Sequence, residues 1–476
     1  MSSTVGTGIE TVAGLLREQL LPGMVVTEPS AISALIRPWN AQVTGRPSIV
    51  ARCRTTADVQ AAVRAARSAG VPLSVLGGGH DWAGSPLRDG GLLVDLADMR
   101  QVRVDGAEAR VAGGATVSDV LDTARPHGYA AAVGTVGSVG FAGLTLGGGY
   151  GTVIGVAGLG VDNLLSAEVV LADCRVVTAD PDHEPDLFWA LRGGGGNFGV
   201  VTELWTRLHP FATVTSGTIA FGWHQARSVL EAWRELMASA DDALDVMFGA
   251  MSTPGGRVLF TSPTWAGDPG HAASQVARVR ALGDPVLDDV DRRTLADTVH
   301  ALDDTFPRGG NYHLGARILP GLTGQAIDAF LASAEAMPAT CMLNVHHAHG
   351  AATRVPVNQT AYAYRDEHLV VEIIGTWAGG DGAAETTGPG TATTTTSASL
   401  PSPPSRPSAV TSWPAFRHSA ARPPPTFPRP MTTIFMCCSL TAEMGWSGRH
   451  RTENHRTGKV PASAGFVGVI AAAGSR

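Results

Sequence analysis

Glycine is bunched in this chain, and the bunching limits the folds open to it. Of 476 residues, 58 are Gly, well above the roughly 7% of an average protein. Many fall in three blocks, Gly77 to Gly84, Gly134 to Gly151 and Gly193 to Gly199, without a collagen period. Glycine runs expose backbone N–H groups and permit positive φ, so they can cradle phosphates without a cation. Three such loops imply an extended ligand with more than one phosphate contact, such as a dinucleotide. For any one block alone, turns in a tightly packed domain are the alternative. No G-x-x-x-x-G-K-[ST] occurs. G-x-G-x-x-G fits the second block only by force, lacking a clean strand before it and a ribose-binding acid after it.

The remaining composition removes several classes. Apolar residues make up 44% and charged ones 16%, enough to bury a large core. A net charge of −7 leaves no basic footprint for nucleic acid. No apolar run reaches the ~18 residues of a membrane span, and the first residues lack a basic and then apolar leader. The expectation is a cytoplasmic chain with reduced thiols, because five Cys show neither disulfide nor zinc spacing. His346, His347 and His349 invite a metal reading. Adjacent His346 and His347 point to opposite strand faces, however, and no carboxylate or Cys joins them at ligand spacing, so no metal is expected.

The texture changes twice along the chain. Up to about residue 212, short strands alternate with helices and end in glycine loops, the pattern of a mixed α/β region. A helix is expected over Thr56 to Ala69, capped by Thr55 or Thr56 and closed by Gly70. A strand from Pro72 to Val75 runs into Gly77, and a hairpin turns at Asp173-Cys174. Residues 213–384 carry longer patterns: helices at Gln225 to Ala238 and Gly324 to Ala336, strands at Leu343 to His347 and Leu369 to Thr376. From about residue 385 the chain is Pro-, Thr- and Ser-rich and patternless. From Thr386 on, nine Lys/Arg face two Asp/Glu, so that stretch carries +7 and the rest −14. It reads as a disordered tail.

The glycine blocks and their neighbours form recognisable motifs. They are Val75-Leu76-Gly77-Gly78-Gly79-His80; Gly134-Thr135-Val136; Leu144-Thr145-Leu146-Gly147-Gly148-Gly149-Tyr150-Gly151; Asp162-Asn163-Leu164; and Asp186-Leu187-Phe188-Trp189-Ala190-Leu191-Arg192 running into Gly193 to Gly199. From about Trp39 to Pro210 the chain resembles the FAD-linked oxidases of the berberine-bridge-enzyme-like group, in the vanillyl-alcohol-oxidase superfamily. A weaker likeness continues through Asn311-Tyr312, Arg354-Val355-Pro356, Tyr364-Arg365-Asp366 and Glu372 to Trp377. The resemblance implies an α+β fold: a two-subdomain PCMH-type FAD-binding domain over residues 1–212 (core 44–210), and a substrate domain over 213–384 with an antiparallel sheet covered by helices. It implies bound FAD, held covalently through His80. Many relatives add a second link from a Cys where this chain has Val136, so a single bond is expected. Arg is usual where Leu76 stands, so one contact is lost or supplied elsewhere.

Motif position assigns the cofactor contacts to Leu76, Gly77, Gly78, Gly79, His80, Asp81 and Gly84. It adds Gly134, Thr135, Val136, Val139, Gly140, Leu144, Gly147, Gly148, Gly149, Tyr150 and Gly151, then Asn163, Gly199, Val200 and Val201. Flavin oxidation also needs a base for the substrate's O–H or N–H proton. On the strand Leu369 to Trp377, Glu372, Ile374 and Thr376 share a face. Apolar neighbours are expected to raise the Glu372 pKa by desolvation, and Glu372 falls where relatives hold a catalytic Glu or Gln. Tyr312 is the second candidate. The expected activity is hydride removal from a carbon bearing O–H or N–H of a small molecule, with O2 as acceptor. The alternatives are a dehydrogenase using another acceptor and an impaired flavin-binding relic. The relic follows from the tail, which reads as a frameshift near Glu385 replacing the C-terminal part of the FAD domain.

Overall fold

The computed structural model describes residues 2–378, with side chains from residue 8 onward. The tail from residue 385, with its frameshift reading, lies outside the described residues. Three sheets organise the rest. The first has four strands, in the order Val25–Val26, Ile49–Arg52, Leu92–Asp95 and Leu73–Leu76. The last three run parallel and are linked through the helix Thr56–Ala69. That helix forms where its sequence predicts. Thr55 and Asp58 make a reciprocal capping box, and Gly70 closes it at φ +65°, each cap contributing about 1 kcal/mol. Its Val59, Ala62, Val63 and Ala66 pack with Val12 and Leu16 of the helix Ser2–Gln19 on the sheet. Parallel strands are covered on their faces, which is why Leu92, Leu93 and Val94 are all fully buried.

The second sheet is antiparallel and centres on Val200–His209. This strand lies between Leu164–Val170 and Glu108–Ala112. The helices Val117–Ala124 and Phe141–Gly147 fill its core through Val120, Leu121, Phe141 and Leu144. Cys174 turns the hairpin between Leu164–Val170 and Val176–Ala179 at φ +72°, a conformation uncommon outside glycine and Asn.

The third sheet has nine strands, from Thr213–Ser216 to His368–Trp377, all antiparallel. Its central ladder runs Gly256–Trp265, Leu244–Thr253, Cys341–Ala348, His368–Trp377 and Asn311–Leu319. The period of two divides each strand between two faces. One face carries Leu343, Val345, Val371 and Ile373 and is covered by Ala226–Met237, Ala272–Arg280 and Gly324–Ala336 through Val229, Trp233, Val279 and Phe330. The other face, with Tyr312, Ile374, Glu372 and Val370, turns toward the glycine loops. The helix Leu295–Thr305 follows this sheet's strand Asp291–Thr294 but joins another core. Its Leu295, Ala296 and Val299 pack into the core of the second sheet.

Candidate active site

The first glycine block leaves the strand Leu73–Leu76 and delivers His80 into a buried position. Gly79, at φ +72°, makes the turn. Gly78 crosses Gly140 of the second block so closely that a Cβ on Gly78 would lie 2.1 Å from the Gly140 nitrogen. Only glycine at both places lets the loops touch. His80 Nε2 then lies 2.9 Å from Ser138 Oγ. Burial, aided by the Arg308 cation, pushes the imidazole pKa down to about 3, so the ring is neutral at physiological pH. Trp39 stacks between His80 (5.4 Å) and Tyr312 (3.8 Å, 4° between planes).

The sheet face continues from Tyr312. Register places Tyr312 opposite Thr376, Leu314 opposite Ile374 and Ala316 opposite Glu372. On the other side Met342 pairs with Ile374 and Asn344 with Glu372. The face thus runs from the aromatic stack, across Leu314, Ile374 and Met342, to Glu372, about 14 Å along the strand from Thr376. Glu372 Oε2 accepts from Asn344 Nδ2 at 3.0 Å and lies 3.2 Å from His346 Nε2. The pKa consequence reverses the sequence expectation. Burial does favour the neutral acid, but hydrogen bonds and attraction from His346 outweigh it and hold the Glu372 carboxyl below its usual value. His346 is correspondingly raised by Glu372. Val371 and Ile373, the apolar flanks that prompted the expectation, point to the opposite face. Beyond the pair stands Tyr150 of the second glycine block, its ring 6.4 Å from His346. Its hydroxyl is 2.5 Å from both Tyr362 and His368.

Other residues named from sequence divide by what surrounds them. Gly148 and Gly149, both at positive φ, bring Gly160 against the loop. A Cβ on Gly151 would strike the Val133 carbonyl, and Gly134 abuts Leu144. Asp81 accepts from the N–H groups of Ala83 and Gly84 and shapes the turn after His80, while Gly84 abuts Val43. Val139 is buried, with Val136 packed against the same core; Leu76 packs on the first sheet's outer cluster. Asn163 spends its amide on the carbonyls of Ala157 and Leu159 and on His209. Val200 and Val201 are buried strand residues, and Gly199 rests on Val169 and Val170. Packing accounts for much of the third block, since Gly193 and Gly195 donate to the Leu146 carbonyl and a Cβ on Gly193 would strike Tyr362. The Tyr312 hydroxyl donates to the Pro307 carbonyl at 2.7 Å, and burial pushes its pKa up to about 12. That phenol keeps its proton and spends it on the Pro307 carbonyl.

Sequence reading missed Ser138, Asp303, Arg308 and Asn344, and weighed His346 only as a metal ligand, not as the partner of Glu372. Asn344 and His346 alternate on one strand, a weak signal that only the register with Glu372 makes meaningful. His347 points to the helix-covered face, against Trp233 and His349. Among the described residues, no cluster of His, Cys, Asp and Glu could hold a metal ion, and no helix is long and apolar enough to cross a membrane.

The fit of a flavin dinucleotide can be judged from the groups left over. The Thr145 hydroxyl, inside the second glycine motif, is buried without a partner, as are Trp82 Nε1 beside His80 and Asn344 Oδ1 beside Glu372. A Cβ would meet nothing within 4 Å at Gly143, and only the Gly113 carbonyl, at 3.7 Å, at Gly77. A cleft of about 370 Å³ opens beside the stack, lined by Trp82, Tyr312, His313, Trp377, Asn40 and Gln42 among others. Unpaired donors along the glycine loops, an open face and a neutral histidine fit the group.

Comparison with known proteins agrees. Residues 47–180 match the FAD binding domain family. The chain is 35% identical over 287 residues to (R)-6-hydroxynicotine oxidase of Paenarthrobacter nicotinovorans, covering 58% of this chain and 62% of that relative. It is 30% identical over 353 residues to an uncharacterised FAD-linked oxidoreductase of Bacillus subtilis, covering 71% of this chain and 77% of the relative. The crystal structure of 6-hydroxy-D-nicotine oxidase from Arthrobacter nicotinovorans superposes with a TM-score of 0.68 at 28% identity, over 76% of this chain and 82% of that one. The carbohydrate oxidase of Microdochium nivale shares the fold, with a TM-score of 0.68 at 22% identity over 78% and 84% of the two chains.

Proposed function

We infer the function from the premise that this chain belongs to the FAD-linked oxidoreductases of the berberine-bridge-like, vanillyl-alcohol-oxidase type. Its reaction is the oxidation of a small molecule at a carbon bearing O–H or N–H, with electrons delivered to O2. The observation that carries this reading is the single sheet face joining His80, through Trp39 and Tyr312, to the ionised Glu372. FAD, when bound, supplies the hydride acceptor.

The chain's own residues have distinct parts. His80 is the attachment point: neutral, buried and between two glycine loops, it keeps a lone pair for bonding to the cofactor. With Val136 in place of a Cys there is one such bond. Glu372 takes the substrate's O–H or N–H proton. Paired with His346 and Asn344, it is held ionised and in a fixed direction, as a base must be. Leu314, Ile374 and Met342 form an apolar floor that excludes water between the two ends. Relatives act on hydroxynicotine and, for a glucooligosaccharide oxidase of Sarocladium strictum, on oligosaccharides. Both kinds offer the required C–N or C–O centre, so cyclic amines and sugars are the substrates to screen first.

The test is the visible spectrum of the purified full chain before and after acid precipitation, followed by anaerobic mixing with candidate substrates. A yellow pellet, colourless in His80→Ala, with bleaching by an amine or sugar and recovery with peroxide release in air, is the expected result. A bleached flavin that reoxidises only with a quinone or protein acceptor would replace the oxidase reading by a dehydrogenase. Bound flavin that no substrate bleaches would favour the relic.

A further inference from the structure

The attachment of flavin to His80 leaves open which ring nitrogen forms the bond and what selects it. A neutral imidazole carries one N–H and one lone pair, and only the nitrogen with the lone pair can attack. His80 Nε2 sits 2.9 Å from Ser138 Oγ, whereas Nδ1 has no hydrogen-bond partner among the described residues. The Ser138 hydroxyl can accept a proton from Nε2, and a ring nitrogen so engaged offers no lone pair to another group. With the proton on Nε2 and donated to Ser138 Oγ, the ring keeps its lone pair on Nδ1, the nitrogen left for the flavin.

Ser138 is itself fastened from far along the chain. Its backbone N–H donates to Asp303 Oδ1 at 2.9 Å, at the end of the helix Leu295–Thr305. The other carboxylate oxygen lies over Gly137, where a Cβ would be only 2.5 Å from it. The Ser118 hydroxyl crowds the same spot and is held by His300 of the same helix at 2.9 Å. A few residues on, Arg308 donates to the Gly78 carbonyl at 2.6 Å and to the Arg37 carbonyl at 2.9 Å. One segment, 300–308, thus grips both loops that hold His80.

We propose that Ser138 is the positioning residue for flavin attachment, fixing His80 as the tautomer that attacks through Nδ1, and that Asp303 fixes Ser138. The inference rests on the covalent attachment read above. In the step, the bond from His80 Nδ1 to the flavin 8α carbon forms as a C–H bond of that methyl group breaks. The methyl proton leaves, and its electron pair reduces the flavin by two electrons. The Nε2 proton passes to Ser138 and on to solvent, and the reduced flavin takes up two protons. Dissolved O2 then reoxidises it, giving peroxide.

The test uses the full chain incubated with FAD. Covalent flavin is read from the acid-washed protein over time, and the linkage isomer from the isolated flavin peptide by NMR. The wild type should carry the Nδ1 isomer alone. Ser138→Ala should retain FAD without covalent bonding or form the bond roughly tenfold or more slowly, as expected for a histidine released from its tautomer. Ser138→Thr, which keeps the hydroxyl, should restore the rate, and Asp303→Asn should slow it. An Nε2-linked flavin, or wild-type attachment in Ser138→Ala, overturns the role of Ser138 while leaving covalent attachment standing. A wild type whose flavin washes away completely overturns both. Should Ser138→Ala fail to bind FAD at all, Ser138→Thr decides: return of FAD without the bond refutes the proposal, and return of both supports it.

Discussion

Two side chains carry the proposed chemistry, and each has a measurable signature. His80 is neutral in the fold because burial and Arg308 lower its pKa to about 3, against roughly 6.5 when unfolded. The unfolded chain therefore binds a proton that the folded one refuses as pH falls from about 6.5 toward 3. Stability must drop across that window, by about 1.4 kcal/mol per pH unit at most for this group. His80→Asn, followed by denaturant unfolding from pH 7 to 4, should show a shallower acid loss than the wild type. Glu372 and His346 are instead shifted toward their charged forms, Glu372 downward and His346 upward. The Glu372 contribution is lost only when pH falls through its lowered pKa, and that of His346 only when pH rises through its raised one. Glu372→Gln keeps the shape and removes the charge. It should leave FAD content unchanged and cut kcat by about 10²–10⁴, the usual weight of a general base. An unaltered kcat in a substrate-saturated assay would remove Glu372 from the reaction.

Elements differ in how much of themselves they disclosed in sequence. The helix Thr56–Ala69 was legible to the residue because its cap, its apolar stripe and its closing glycine are all local. The strand His368–Trp377 was legible too, by alternation, including the shared face of Glu372, Ile374 and Thr376. The pKa of Glu372 was not. It depends on the neighbouring strand Cys341–Ala348, and register between strands is a tertiary fact that no run of sequence encodes by itself. The glycine motifs named the cofactor but not each glycine's task. Gly78 and Gly140 are where two loops cross, whereas Gly193 seats Tyr362. Gly78→Ala should therefore displace both loops and abolish FAD binding, read as loss of the visible absorbance. Gly321→Ala, away from the glycine loops and with nothing within 4 Å of the added carbon, should leave the protein fully loaded.

Across the whole molecule, the first two sheets and the third are tied at several places. Arg365, beside the third sheet, forms a buried pair with Asp162 of the loop before Leu164–Val170, at 2.8 Å and with both side chains under 10% exposed. Trp39 Nε1 donates to the Phe306 carbonyl, and Asn40 bridges to Tyr312 and Trp82. Removing one partner of a buried pair strands the other charge, so Arg365→Ala should cost about 3–5 kcal/mol, measured as a lower denaturant midpoint. The helix Leu295–Thr305 has the widest consequence. Asp303 comes more than two hundred residues after His80 in the chain. At roughly 5–20 residues per second, a ribosome needs about 10–45 s to cover that distance. Until then His80 has emerged with its loop but without the segment that steadies it. The proposed attachment is thereby scheduled late, after the far part of the chain has been made and has docked. Each bonded flavin then works as a certificate of completed assembly, since an unfinished chain lacks the grip that lets the bond form.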